Sequence, residues 1–301
     1  MARDTALGKR ASSAVEWLER LVSVSRSTLV SMSTTIHSAK SPPLISVITI
    51  NRNNAVGLRR TLSTTAEQTF FDFEHLVIDG ASSDGSRDVL LEFKDRLAWW
   101  CSEPDAGIYN AMNKGIARAS GSYLLFLNSG DHLKEPMALE MAARFLNGEQ
   151  LVYFDVELVD PFGKGRRHTF PQHLNFSFFA RRSLAHPATF IDASLFQQYG
   201  FYDESLKIVS DWKAFLLWVC RQNCSYLAVP EVLSVFYMDG LSSNPGAGAV
   251  LIAERERVLL AEFPAIYDDF LEGREALQAL KNLRNNTMLR WLQSARLMKR
   301  F

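Results

Sequence analysis

Two short apolar runs, each leading into a carboxylate, constrain this chain more than any other feature. His75-Leu76-Val77-Ile78 stops at Asp79, and Leu124-Leu125-Phe126-Leu127 runs into Asn128-Ser129-Gly130-Asp131. A run without polar alternation reads as a strand buried on both faces, the environment of a parallel sheet covered by helices. An acid that closes such a strand stands at the carboxyl edge of the sheet, where open α/β folds take their ligands. Two such acids on two strands predict one shared site.

The surrounding pattern repeats the same unit. Strands at Ile45 to Ile50, Glu74 to Asp79, Leu97 to Cys101 and Tyr123 to Leu127 alternate with helices that begin near Ala55, Asp84, Ile108 and Glu135. Short apolar strands separated by helices imply a largely parallel sheet flanked on both faces. The alternation weakens after a strand at Leu151 to Val156. The stretch from Pro161 to Pro187 predicts an irregular or antiparallel insertion over the site. Helices follow at Ala193 to Tyr199 and Asp211 to Cys220, then two short strands at Tyr226 to Val229 and Val232 to Tyr237. The expected division is a helical extension and linker over 1–43, an α/β domain over 44–240, and a helical, basic, amphipathic region over 241–301.

Charge and composition narrow the function. Thirty-three basic and thirty-three acidic residues balance, so no global field recruits nucleic acid. Cys101, Cys220 and Cys224 are too few and too scattered for a disulfide framework, which fits a reducing compartment. Cys220 and Cys224 lie four apart in a helical pattern, but no second pair stands near them to complete a metal site. No segment reaches the ~18 continuous apolar residues of a membrane span, and charges from Arg3 to Arg20 interrupt any signal-peptide core. A cytoplasmic protein is expected.

The loops after the strands carry the chemistry. In Asp79-Gly80-Ala81-Ser82-Ser83-Asp84-Gly85-Ser86, small residues let a ligand approach the backbone, and Asp79 can accept from a ribose hydroxyl or a base N–H; a tight βα turn with two caps is the plain alternative. Asp105 precedes a helix and fits an N-cap, while Lys114 is either a point charge for a diphosphate or a solvated lysine. After the first strand stands Asn51-Arg52-Asn53-Asn54 instead of Gly-x-Gly-x-x-Gly, which argues against a dinucleotide-dependent oxidoreductase.

Taken in order, Ile45 to Asn53, Val77 to Gly85, Glu103 to Gly115 and Leu125 to Asp131 resemble a family 2 glycosyltransferase of the GT-A fold. Within that family the pattern is similar to bacterial enzymes that build exopolysaccharide, capsule or O-antigen. The resemblance covers about residues 45 to 240 and implies a Rossmann-like, mixed and mainly parallel sheet flanked by helices, with helical extensions at both ends. It implies that Asp79 contacts the nucleoside with Thr49 and Asn51 beneath it, that Asp105 also faces the nucleotide, and that Lys114 lies near the sugar diphosphate. The family's metal motif, Asp-x-Asp or Asp-Asp, reads Asn128-Ser129-Gly130-Asp131 here, so Asp131 alone keeps its carboxylate. Asn128 and Ser129 can replace a hydrogen bond but not a charge. Mg²⁺ or Mn²⁺ remains the implied cofactor, since Mg²⁺ often uses one or two carboxylates and takes its other ligands from phosphates and water.

The segment Tyr202 to Trp212 resembles the place of the family's catalytic base. An inverting transfer needs a base for the acceptor hydroxyl, and Asp211 at a helix start is the candidate, whereas Asp203 and Glu204 suit capping. His186, Arg181 and Arg182 are candidates for contact with an acceptor or a diphosphate. The implied partners are a nucleotide sugar, with UDP the usual carrier, and a saccharide or polyprenyl-diphosphate-linked acceptor. After Glu275 there is no acid, and Lys281, Arg284, Arg290, Arg296, Lys299 and Arg300 alternate with apolar residues and Trp291. Such a helix suits peripheral contact with an anionic membrane, here the inner face of the bacterial cytoplasmic membrane. A non-catalytic subunit that binds nucleotide or carbohydrate is the alternative that the reduced metal motif allows.

Overall fold

The structure, a computed structural model, describes residues 41–238 and 245–285. The predicted N-terminal helix and linker, and the most basic part of the C-terminal segment, lie outside the described residues. The described residues from Pro42 onward form one compact unit.

A single sheet organises that unit. Four strands run parallel in the order β3 (Trp99–Ser102), β2 (Phe73–Asp79), β1 (Ile45–Asn51), β4 (Tyr123–Phe126). Beyond β4 the sheet turns mixed. It continues through β8 (Thr189–Asp192), antiparallel to both neighbours, then β6 (Leu151–Val159), β9 (Tyr226–Tyr237) and β5 (His132–Leu133). β7 (Gly165–His168) pairs antiparallel with β6, so the insertion expected over 161–187 begins as a hairpin. The third strand starts two residues later than predicted because a 3₁₀ turn, Lys94–Arg96, prolongs the preceding helix.

The two strands expected on either side of Pro230 are one strand. Its pairing with β6 skips from Val229 to Val232 and again from Val232 to Ser234. Proline has no N–H for the ladder and is tolerated within a sheet at a bulge. Arg167 fills the irregularity, donating to Asp155 Oδ2 at 2.7 Å and to the Pro230 carbonyl at 2.5 Å.

Alternate side chains of the buried strands enter different cores, as a period of two requires. Val47, Leu125 and Leu127 pack on one face with helix α4 (Ala138–Ala143). Ile48, Leu124 and Phe126 pack on the other with α3 (Ile108–Arg118) and α7 (Ser210–Cys220). A smaller cluster joins Val77 to α1 (Ala55–Ala66) and α2 (Ser86–Phe93) through Leu58, Leu62, Val89 and Leu90. Each fully buried Leu or Phe contributes about 1.5–3 kcal/mol relative to exposure. Contact on the α3 side is close enough to require glycine, since a Cβ on Gly115 would meet Ile48 Cγ2 at 2.5 Å.

Helices α5 (Phe176–Phe179) and α6 (Ala193–Tyr199) lie in the second half of the chain, and two further helices, α8 (Gly248–Glu262) and α9 (Pro264–Asn285), end the described residues. Val258, Leu259, Phe263 and Tyr267 belong to the same core cluster as Trp212 and Phe215. The C-terminal helices are therefore built into the fold from their first turns, not appended to it. α7 stops where Asn223 takes the left-handed conformation, φ 53°, just past the helix end.

Candidate functional site

The carboxyl ends of β1, β2 and β4 carry loops that brace one another. Asn54 caps α1 by accepting from Gly57 N at 3.0 Å, and its amide donates to the Ser129 carbonyl at 3.0 Å. Asn53, at φ 49°, receives Ser83 N on its Oδ1 and donates its own N–H to Ser82 Oγ. Asp84 joins two helix starts, accepting from Ala55 N at 2.8 Å and from Ser86 N at 3.1 Å. Asp105 lies across Gly80, where a Cβ would fall 2.3 Å from its Oδ2, and it pairs with Arg52 at 3.8 Å.

Asp79 is the centre of this bracing. It is fully buried and takes hydrogen bonds from Asn51 Nδ2 (2.7 Å), Ser82 N (3.0 Å), Ser82 Oγ (2.5 Å) and Ser102 Oγ (2.6 Å). Burial pushes its pKa up, and these donors more than reverse that, so the carboxyl titrates below its ordinary value.

The loop after β4 is shaped by a hydroxyl. Thr61 on α1 donates to the Asp131 carbonyl at 2.6 Å and accepts from Gly130 N at 3.0 Å, while Gly130 adopts φ 111°. The turn leaves Asp131 7% exposed, with Oδ1 3.3 Å from Tyr237 N. Nearby, Asn128 Oδ1 is buried with no hydrogen-bond partner among the described residues. No group of three His, Cys, Asp or Glu side chains suited to a metal occurs among the described residues. The donors present here are one carboxylate and one orphaned amide oxygen, both hard, which fit a divalent cation that draws its other ligands from phosphate and water.

Across the cavity, Asp211 occupies the first turn of α7, where the helix N-terminus favours a negative charge. The Tyr109 hydroxyl lies 2.7 Å from Asp211 Oδ1 and 2.6 Å from the Ile208 carbonyl, one proton facing two acceptors. Burial and the charge of Asp211 hold the Tyr109 pKa well above its ordinary value, so the phenol stays protonated. Asp203 is committed elsewhere, to Lys213 at 2.8 Å and to Ser205, and Glu204 accepts from Asn110 and Asn113.

Asp131 and Asp211 line one cavity of about 910 Å³. Asn51, Arg52, Asn53, Asn54, Asp105, Asn128 and Ser129 line its polar part, and Val156, Leu158, Phe170, Leu184, Leu251 and Phe236 line an apolar part. His186 also reaches the cavity, though its ring is buried, stacked on Phe126 at 4.5 Å and bonded to Tyr202 Oη at 2.8 Å.

Of the residues singled out from the sequence, Asn51, Asp105, Asn128, Ser129, Asp131, His186 and Asp211 come together here. Asp79, Thr49, Lys114, Arg181 and Arg182 do not line the cavity. The four donors on Asp79 leave its carboxylate facing protein. Thr49 is buried in the sheet, donating to the Leu127 carbonyl at 2.7 Å and meeting His75 Nε2 at 2.9 Å. Lys114 turns to Glu103 at 2.7 Å, and Arg181 to Ser177 and the Phe270 ring. Cys220 and Cys224 are unpaired thiols whose pKa burial pushes up to about 11 and about 12. Sequence reasoning missed Tyr109 and Arg255. Tyr109 sits at a helix start next to Asp105 and could have been weighed with it, whereas only tertiary structure brings Arg255 to the site.

Comparisons with known proteins show the family and the fold. The family model described as glycosyl transferase family 2 matches residues 46–202. A glycosyltransferase of Mycobacterium tuberculosis is 34% identical over 218 residues, covering 70% of this chain and 81% of that protein. A PGL/p-HBAD biosynthesis glycosyltransferase of Mycobacterium bovis is 32% identical over 177 residues, 56% of this chain and 67% of that protein. Among solved structures, S. aureus TarS with UDP-GlcNAc superposes with a TM-score of 0.54 at 19% identity, over 64% of this chain and 58% of that one. The mannosyltransferase PcManGT from Pyrobaculum calidifontis, in complex with GDP-Man and Mn²⁺, gives 0.53 at 15% identity over 93% of each chain. At these identities the structural likeness speaks for fold.

Proposed function

Because the chain belongs to glycosyl transferase family 2, has the GT-A fold and is a glycosyltransferase, we propose that it is a metal-dependent, inverting enzyme. It moves a sugar from a nucleotide-sugar donor onto a saccharide or lipid-linked acceptor in bacterial surface polysaccharide or glycolipid assembly. The observation that supports this reading best is that Asp131 and Asp211 line one cavity from opposite elements, the β4 loop and the start of α7.

Asn51, Arg52 and Asp105 hold the nucleoside end, with Asp79 fixing Asn51 and the Gly80 turn beneath it. Asp131, with Asn128 Oδ1, would hold a divalent cation, whose charge would offset the negative charge of the departing diphosphate. Asp211 takes the proton of the acceptor hydroxyl as its oxygen attacks the anomeric carbon. The carbon–oxygen bond to the diphosphate breaks, its electron pair leaves with the nucleoside diphosphate, and in-line attack inverts the anomeric centre. Tyr109 orients the base by hydrogen bonding to one of its oxygens. The apolar wall of the cavity, with side chains such as Leu158 and Phe236, favours an acceptor that carries a lipid or aryl group.

The same reading places the enzyme at the inner face of the cytoplasmic membrane through its basic C-terminal segment. No helix among the described residues is long and apolar enough to cross a membrane. Loss of vesicle flotation on truncation after residue 285 supports that contact; unchanged flotation removes it.

The deciding experiment is a screen of UDP-, GDP- and dTDP-sugars for nucleotide release with Mg²⁺ or Mn²⁺. Release from one donor, lost in Asp131→Ala, fixes the donor and the metal role. Nucleotide binding that is insensitive to metal, with no turnover in the presence of alkyl glycosides, favours the non-catalytic subunit.

A further inference from the structure

Helix α8 carries two neighbouring charged side chains, of which Arg255 lines the cavity, and the fold treats them in opposite ways. Glu254 is buried and accepts the backbone N–H groups of Lys207 at 2.7 Å and Ile208 at 3.0 Å, which fastens α8 to the loop leading into Asp211. Arg255 lines the cavity with its guanidinium carbon 4.9 Å from the centre of the Trp212 ring. Its Nε is buried without a hydrogen-bond partner, and no ion pair joins it to a carboxylate among the described residues. Lys213, another basic side chain largely withdrawn from solvent, is matched to Asp203 at 2.8 Å.

A desolvated guanidinium with an unfilled donor raises the free energy of the empty protein, and burial lowers the Arg255 pKa, with the charge of Asp211 acting the other way. The group stays cationic, because arginine does not lose its proton in proteins. Its planar fork matches two oxygens of a phosphate, and stacking on Trp212 sets the plane of that fork in advance. An oxyanion from the substrate supplies the countercharge that no carboxylate of the described residues provides as an ion pair.

We propose that Arg255 is the anchor of a phosphate-binding subsite in the cavity, on the Asp211 side, an inference that rests on the glycosyltransferase reading for the origin of its ligand. Two sources offer the same chemistry: the diphosphate of the donor and a phosphate carried by the acceptor. Because Glu254 holds α8 to the loop before Asp211, an anion seated on Arg255 is registered against the base.

The test uses the full chain and the variants Arg255→Met and Arg255→Lys, with calorimetric titration of inorganic phosphate, UMP, UDP, GMP and GDP. Melting temperatures and circular dichroism establish that both variants fold. Phosphate affinity falls about tenfold or more in Arg255→Met, the loss expected for a hydrogen-bonded charge pair, and is partly kept in Arg255→Lys. If the phosphate belongs to the donor, the preference for diphosphate over monophosphate collapses in Arg255→Met. If it belongs to the acceptor, nucleotide affinities hold and phosphate binding to the nucleotide-saturated protein is lost. Equal phosphate affinity in wild type and Arg255→Met, or none in wild type, overturns the subsite. Phosphate binding through Arg255 with no nucleotide binding in wild type overturns the donor reading and leaves the subsite standing.

Discussion

The two sides of the cavity are built differently. On the side of the parallel strands most polar groups satisfy one another, Asn51 Oδ1 and Asn128 Oδ1 excepted: Asp79 takes four hydrogen bonds, Asn54 bridges two loops, and Thr61 shapes the turn to Asp131. On the side of β6, β7, β9, α7 and α8 the wall is largely apolar, and Arg255 has a buried donor with no partner. A bracing network costs little reorganisation when a ligand arrives. Unfilled polar groups among apolar walls gain their partners only from the ligand. In the proposed function the first side holds the donor and the second selects the acceptor, so substitutions on the two sides fail differently.

Asp131→Ala gives the largest effect, because it removes the one carboxylate of the β4 loop; metal-dependent turnover falls to background while the melting temperature stays close to wild type. Turnover within a few-fold of wild type breaks the assignment of the metal to this loop. Asp211→Asn lowers kcat by about a hundred- to ten-thousand-fold, the range of general-base catalysis, with the donor Kd unchanged. A rise in donor Kd as large as the fall in kcat places Asp211 on the donor side instead.

Asp79→Ala separates bracing from recognition. The substitution strands Ser82 N and the Asn51 amide, at a cost of about 2–4 kcal/mol in unfolding free energy. If Asp79 instead touches the nucleoside, as its place in the motif implies, the donor Kd rises while the melting temperature stays near that of wild type. Denaturant melts and nucleotide titrations on the same variant decide between these outcomes.

Much of the parallel side is legible in the sequence, because its signals are local. Apolar runs such as Leu76-Val77-Ile78 define strands, and loops that begin at Asn51, Asp79 and Asn128 follow them at once. The parallel strands β1 to β4 follow from that pattern, but of the two acids expected to share one site only Asp131 lines the cavity and Asp79 does not. Whether a named side chain faces ligand or protein is not local. Asp79 faces inward because Ser102, on the neighbouring strand, and Asn51, on the other, both point at it, and no spacing reveals that. The mixed side is less legible for the same reason. Pro230 suggests the end of a strand, yet Arg167 from β7 lets the strand continue through a bulge. Arg255 reaches the site only because Val258 and Leu259 seat α8 in the core, a contact across more than forty residues from Trp212.

Two buried histidines, one on each side, offer the finest comparison. His75 is held in the parallel side against Thr49, and burial alone lowers its pKa to about 3. His186 is equally enclosed, and burial lowers its pKa too, but the charge of Asp211 pulls the other way. Each is neutral in the folded chain where the unfolded chain begins to bind a proton near pH 6.5, so each contributes stability that is lost as pH falls below that value. For His75 the loss runs at about 1.4 kcal/mol per pH unit down to about pH 3, and His75→Gln flattens the slope of stability against pH across that window. Histidine NMR titration of Asp211→Asn then reads the coupling across the cavity. Without the carboxylate the imidazolium of His186 loses its nearest favourable charge, its pKa falls further, and His75 does not move. Equal shifts in both, or in neither, place Asp211 too far from His186 for the two to share one side of the site.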